Sequence, residues 1–282
     1  MSETHNPAQP EEGLSAAPPG AKSKARLEGA LGWRWLLVVA RVAAMLAWSF
    51  AVIPIHVVVR LAGRPALIPP TYLCGIGWIA GLRFTVEGKP RNHALLLANH
   101  LSWLDILALA SASRTAFVAH SGLAVSPALK WLCEQNGTLF ITRDQRHTVT
   151  RQVDQVRAAL GGRRLTIFPE GTTGDGRALL PFKSALISAV DRLPAGLPVQ
   201  PVALGYDEAE EIAWVGGEPG LTNACKILAR TRPVHLTLCF LPPLSGAALT
   251  DRKAIAAAAS SAIAAALHVR VDPRPGLKPS VR

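Results

Sequence analysis

Several common protein classes are excluded by what this 282-residue chain lacks. Its four cysteines, Cys74, Cys133, Cys225 and Cys239, lie far apart and none forms a C-x-x-C pair. Neither a disulfide framework nor a zinc site is indicated, and the thiols read as reduced, mostly buried side chains. No cluster of metal-ligating residues stands out. A G-x-S-x-G nucleophile elbow is missing, which ranks an ester hydrolase low. Zinc-finger spacing and aromatic RNA-binding signatures are also missing, so nucleic acid is not expected as a partner. Charge is scarce as well: 17% of residues are charged against 49% hydrophobic, and acids are the scarcer sign, with 19 Asp and Glu against 30 Lys and Arg. A formal charge of +11 on so apolar a chain points to an anionic partner such as membrane headgroups or a phosphorylated substrate.

The apolar excess is concentrated between Trp33 and Leu82. Residues 1–30 are rich in Pro, Ala, Gly, Ser and charge without hydrophobic period, and read as disordered. Val42 to Val59 then runs without Lys, Arg, Asp or Glu, long enough as a helix for about 27 Å of bilayer. Pro54 and His56 weaken it as a straight span. A second uncharged run, Ala66 to Leu82, is interrupted by Pro69, Pro70, Gly75 and Gly77. Arginines flank both sides of the first run, giving no inside–outside bias. Residues 31–82 are therefore read as a membrane-associating segment. A bent hairpin entering and leaving on the cytoplasmic face is favoured over a single span, and a cleaved leader is not expected.

From residue 83 to 270 short apolar strands alternate with helix-length segments. Strands are predicted at Phe84–Glu87, Ala94–Ala98, Ala116–Ala119, Leu139–Ile141, Leu165–Phe168, Val199–Leu204 and Val234–Phe240. Helices are predicted near 103–112, 126–135, 147–160, 183–192 and 251–268. This alternation predicts an α/β domain, a mixed, mostly parallel sheet flanked by helices, preceded by the hydrophobic helical anchor or hairpin. Residues 271–282 read as a loose basic tail.

Four segments carry candidate chemistry. The strand ending at Ala98 runs into Asn99-His100-Leu-Ser-Trp-Leu-Asp105. Within one helix His100 and Asp105 would lie about 140° apart, so the pair works better if His100 precedes the helix and Asp105 sits in its first turn. Ser102 offers an N-cap for that arrangement, and Ser-x-x-Asp is equally an ordinary capping box. The strand Gly137-Thr-Leu-Phe-Ile-Thr-Arg143 delivers an arginine suited to phosphate, or simply begins a surface loop. Leu165-Thr-Ile-Phe-Pro-Glu170-Gly171-Thr172-Thr-Gly-Asp-Gly176 is a strand entering a glycine-rich turn whose amides are candidates to cradle an anion, with Lys183 nearby. Glu170, unsuited to a phosphate neighbour, reads as ordering the loop or accepting a substrate hydroxyl. Pro198-Val-Gln-Pro201 suggests a sheet edge or a strand entrance.

Taken in order, Asn99-His100-x4-Asp105, Gly137-x-Leu-Phe-Ile-x-Arg143, Phe168-Pro-Glu-Gly-Thr172 and Pro198-Val-Gln-Pro201 resemble the glycerolipid acyltransferase family typified by bacterial 1-acylglycerol-3-phosphate acyltransferases. The resemblance covers about residues 84–245. It implies an enzyme in which His100 is general base and Asp105 orients it. Arg143, Glu170, Gly171, Thr172 and Lys183 would bind the acceptor. An acyl-CoA or acyl carrier protein thioester would be co-substrate, with no cofactor and no metal. The implied product is phosphatidic acid, made at the sn-2 hydroxyl on the cytoplasmic face of the inner membrane, with membrane lipid and lysophospholipid as partners. Thr173 stands where many lysophosphatidate enzymes carry a basic residue. Its Thr-x-Asp-Gly context is similar to relatives that acylate lyso-ornithine lipid, which keeps that acceptor, or another lysolipid, as the alternative. A non-catalytic lipid-binding role is the remaining class.

Overall fold

A computed structural model of the chain describes residues 32–120, 127–141, 163–187, 196–215 and 217–272. The N-terminal 1–30 segment, the helix expected at 147–160, Arg143 and the basic tail beyond Asp272 lie outside the described residues.

After a 3-10 turn at Gly32–Arg34, helix α1 spans Trp35–Leu61 and helix α2 spans Pro69–Ala80. The stretch Gly32–Leu61 is long and apolar enough to cross a membrane, and α1 alone covers about 40 Å. Contrary to expectation, Pro54 does not interrupt it. The carbonyl that loses its partner belongs to Phe50, and both residues are on the exposed side. Within the second run, α2 continues unbroken from Pro69 to Ala80, because Pro69 and Pro70 occupy its first turn, where their missing N–H groups cost nothing. Gly75 lets the two helices touch: a Cβ there would sit 2.4 Å from the Trp48 indole. Trp48 donates to the Tyr72 carbonyl at 3.1 Å, and Ser49 and Tyr72 share a 2.9 Å hydrogen bond. The two helices thus form a hairpin. Its outward side along α1, including Leu36, Val39, Leu46, Phe50, Val58 and Leu61, is exposed and apolar.

The remaining chain builds an α/β unit. Its strands are β1 Leu82–Gly88, β2 Leu95–Ala98, β3 Ala116–His120, β4 Leu139–Ile141, β5 Leu165–Ile167, β6 Ala178–Leu179, β7 Val199–Tyr206, β8 Val234–Phe240 and β9 Arg270–Val271. Its helices are α3 Leu104–Ser113, α4 Pro127–Gln135, α5 Ala209–Ile212, α6 Gly220–Leu228 and α7 Arg252–Leu267. The main sheet has the order β1-β8-β7-β2-β5-β3-β4, parallel except where β7 meets β8. β2 is buried along its whole length, as expected for a central parallel strand covered on both faces. Leu96 and Ala98 pack with Leu104, Val202 and Ile227 on the α3 and α6 side. Leu95 and Leu97 pack with Ile255, Ala256 and Ala259 of α7 on the other. Asp251 caps α7, accepting from Lys253 and Ala254 amides.

The proline-bracketed strand is not at an edge. Pro198 does mark its entrance, but β7 lies inside the sheet between β8 and β2. Pro201 is tolerated because the β8 ladder begins only at Val202, and Pro201 meets that side through its carbonyl, which accepts from Leu241 at 3.0 Å. Residues 184–187 form a 3-10 turn at the start of the helix expected over 183–192. Arg270–Val271 pairs with β6 rather than starting the tail, and the Asp272 amide donates to the Leu179 carbonyl at 2.8 Å. α5 and α6 had no counterpart in the sequence reading.

Candidate active site

β2 ends in the sheet's middle, and its C-terminal end is where a parallel sheet exposes a crevice. Asn99 prolongs the pairing with side-chain groups: its amide nitrogen donates to the Leu204 carbonyl at 3.0 Å, and its oxygen accepts from the Leu204 amide at 2.8 Å. This buried bracket holds the chain as it leaves the sheet. His100 therefore precedes α3, as the angular argument favoured, and Asp105 lies in the first turn.

Asp105 is completely buried and collects four donors. Its Oδ2 accepts from His100 Nδ1 at 2.8 Å, the Leu101 amide at 2.7 Å and the Ser102 amide at 2.9 Å. Its Oδ1 accepts from the Tyr206 hydroxyl at 2.5 Å. Such a carboxylate can only accept, so Nδ1 carries the imidazole proton and Nε2 presents a lone pair. The His100 side chain keeps 19% of its surface exposed, so that lone pair remains reachable. The expected Ser102 capping pair forms, although the helix is counted from Trp103: the Ser102 hydroxyl accepts from the Leu104 amide at 3.4 Å, and Asp105 reaches back to the Ser102 amide at 2.9 Å. The carboxylate is committed to the imidazole and to the amides that aim it.

Phe168 stacks on the His100 ring, with centroids 4.1 Å apart. Glu170 follows two residues later, turned inward and only 2% exposed. Its carboxylate accepts from the His100 amide at 2.8 Å and the Leu180 amide at 3.3 Å. Burial pushes its pKa up to about 8. The two amide bonds and the Lys183 charge oppose the rise, while Asp105 adds to it. Glu170 thus spans from the catalytic-candidate loop to the far side of its own loop. The glycine-rich turn is built differently from an open cradle: the Gly171 amide donates to the Phe168 carbonyl and the Gly174 amide to the His100 carbonyl. Gly171 has φ +68°, and a Cβ would meet Leu186 at 2.8 Å and Lys183 Nζ at 3.3 Å. Lys183 is therefore beside this turn, and Thr172 is exposed on it. Thr173 donates its hydroxyl to the Trp214 carbonyl, while Arg177 pairs with Glu210 at 2.6 Å.

The structure thus brings together His100, Asp105, Glu170, Gly171, Thr172 and Lys183. Tyr206 was missed by sequence reasoning, because its contact with Asp105 spans 101 positions and appears only when β7 lies beside β2. Burial, followed by the Asp105 charge and hydrogen bond, holds its phenol well above the ordinary tyrosine value.

Known proteins resemble this chain over the same region. A family described as Acyltransferase matches residues 83–205. A lyso-ornithine lipid O-acyltransferase from Rhodobacter capsulatus is 36% identical across 68% of this chain and 72% of that protein. This chain belongs to the glycerolipid acyltransferase family. A second relative of this acyltransferase, the lyso-ornithine lipid O-acyltransferase of Pseudomonas aeruginosa, is 36% identical over 67% of the chain and 73% of its own length. The 1-acyl-sn-glycerol-3-phosphate acyltransferase of Neisseria meningitidis is 37% identical over shorter shares, 47% and 53%. The acyltransferase also shares its fold with the crystal structure of the 1-acyl-sn-glycerophosphate (LPA) acyltransferase PlsC from Thermotoga maritima, at TM-score 0.57 and 18% identity, covering 82% of this chain and 95% of that one.

Proposed function

We propose that this membrane-associated acyltransferase transfers a fatty acyl group from a thioester to a lysolipid hydroxyl, with His100 as general base. The observation that carries the reading is the reachable His100 ring whose Nδ1 is held at 2.8 Å by the buried Asp105 carboxylate. Nε2 takes the acceptor hydroxyl proton as the oxygen attacks the thioester carbonyl. Collapse of the adduct expels the thiol of acyl-CoA or acyl carrier protein, which leaves with that proton. The Asp105 charge stabilises the transient imidazolium, and neither cofactor nor metal is required. Arg143, Thr172 and Lys183 are assigned to the acceptor headgroup, and Glu170 and Gly171 to the shape of the turn that receives it. The apolar outward side of the hairpin supports membrane association, and we assign the unit to the cytoplasmic side of the inner membrane.

Lyso-ornithine lipid is the acceptor favoured by two observations. Relatives with that name match over the larger share of both chains, and Thr173 contributes no cation, its hydroxyl being tied to Trp214. The sn-2 hydroxyl of 1-acylglycerol-3-phosphate, giving phosphatidic acid, is the second reading, supported by the Neisseria relative. Purified protein supplied with a labelled acyl thioester and each acceptor separately distinguishes them. Product from lyso-ornithine lipid in excess over phosphatidic acid is expected, and the reverse preference overturns the choice. His100→Ala should abolish turnover while membrane binding persists. Near-normal turnover in that variant would remove the mechanism.

A further inference from the structure

Opposite the candidate active site, at the N-terminal ends of β2, β3 and β5, lies a cavity of about 250 Å³. His93 stands before β2 and His100 after it, so the two ends of this strand are separated by on the order of 20 Å. Arg114, Arg163 and Arg164 line the cavity with His93, Asn92 and Asn136, and none of its lining residues is acidic. Arg164 forms the floor. Its guanidinium donates to the carbonyls of Arg91 at 2.8 Å and Ser113 at 2.7 Å, and to Asn92 Oδ1 at 2.6 Å. With a fourth bond to the Pro90 carbonyl at 3.3 Å, these partners use four of its five N–H groups without neutralising its charge, and burial lowers its pKa with no acidic neighbour contributing. Arg163 makes one long bond, 3.3 Å, to the Asn136 carbonyl.

The backbone here is unusual as well. Three non-glycine residues among those described have positive φ, and two of them, His93 at 48° and Arg114 at 53°, line this cavity. Arg114 ends α3 in the left-handed conformation that glycine adopts most cheaply. These two left-handed positions set the turns that bring Arg114 and His93 to a cavity with no acidic lining residue. A further wall comes from the hairpin, through Ala66 of the link and Pro69 and Pro70 in the first turn of α2. His56 and Arg60 of α1 both reach Gln135 on the rim, at 3.2 and 2.7 Å. The cavity therefore adjoins the segment that meets the membrane.

We propose that this cavity binds a phosphate-bearing anion, held by Arg114 and Arg163 over the Arg164 floor, at a site separate from the acyl-transfer centre. Planar guanidinium groups match phosphate oxygens in pairs, and anionic headgroups are the phosphates most abundant beside a membrane-embedded hairpin. A lipid headgroup and free phosphate share this chemistry.

The test uses the full chain purified in detergent and the double variant Arg114→Gly, Arg163→Gln. Glycine suits φ +53°, so the variant keeps its backbone. Lys226→Gln with Arg232→Gln, both exposed and on another face, removes equal charge as a control. Melting temperature is followed against inorganic phosphate, and binding is measured to vesicles of phosphatidylcholine alone or mixed with phosphatidylglycerol. The wild type and the control should show a saturable phosphate-dependent rise and at least tenfold tighter binding to the mixed vesicles. The cavity variant should lose one or both. Loss confined to the mixed vesicles assigns a lipid headgroup, and loss confined to the phosphate response assigns the free ion. If the cavity variant matches the control in both measurements, the site does not exist. Neither readout involves acyl transfer, so this inference stands or falls apart from the proposed reaction.

Discussion

Tyr206→Phe isolates one hydrogen bond in the candidate centre. The substitution removes a hydroxyl and leaves the ring volume, so β7 and its neighbours keep their packing. Its target is Asp105 Oδ1, which has Tyr206 as its partner at 2.5 Å while Oδ2 holds three donors. A hydrogen bond to a buried charged group contributes about 1.5–3 kcal/mol, and its loss leaves a completely buried carboxylate oxygen bare. Stability should fall by about that amount in denaturant unfolding. The effect on catalysis is one of geometry. Tyr206 holds the carboxylate that in turn holds His100 Nδ1. A looser Asp105 aims the imidazole less well, and kcat should drop about tenfold if roughly 1.4 kcal/mol of that support is lost. The assay is the rate of acyl transfer beside unfolding of the same preparation. A variant with reduced stability but an unchanged kcat would refute the link between Tyr206 and His100.

Glu170 links stability to pH in a particular direction. Its folded pKa of about 8 exceeds the ordinary 4.5, so the protonated form is the one that folding favours. The associated stability is complete below about pH 4.5 and is lost as pH rises toward about 8. Glu170→Gln should flatten the melting temperature against pH across that interval, and parallel curves for the two proteins would contradict the assignment. Gly171→Ala places a side chain at φ +68° and 2.8 Å from Leu186. A loss of about 1–3 kcal/mol is expected in thermal or denaturant unfolding, and a variant as stable as the wild type would show that this turn relaxes freely.

Much of the architecture was legible in the sequence because strand and helix periods are local properties. The seven main strands fall where short apolar runs placed them, and β4 and β8 match residue for residue. Short elements such as β6 and β9 were invisible, since two residues carry no period and exist only by pairing with each other. The prolines misled at Pro54, at Pro69 with Pro70 and at Pro201, for one reason. Each lacks a donor, and whether that matters depends on what faces the missing N–H, which no local pattern records.

The order of residues alone determined the greasy hairpin, the α/β alternation and the placing of His100 just before a helix and Asp105 within its first turn, all consequences of spacing along one chain. Only the tertiary structure decided how that pair is supported. Asn99 bracing against Leu204, Tyr206 closing on Asp105, Glu170 gripping the His100 amide and three arginines meeting at the far end of the sheet all join segments distant in sequence. Such contacts depend on strand order and burial, which arise when the sheet assembles.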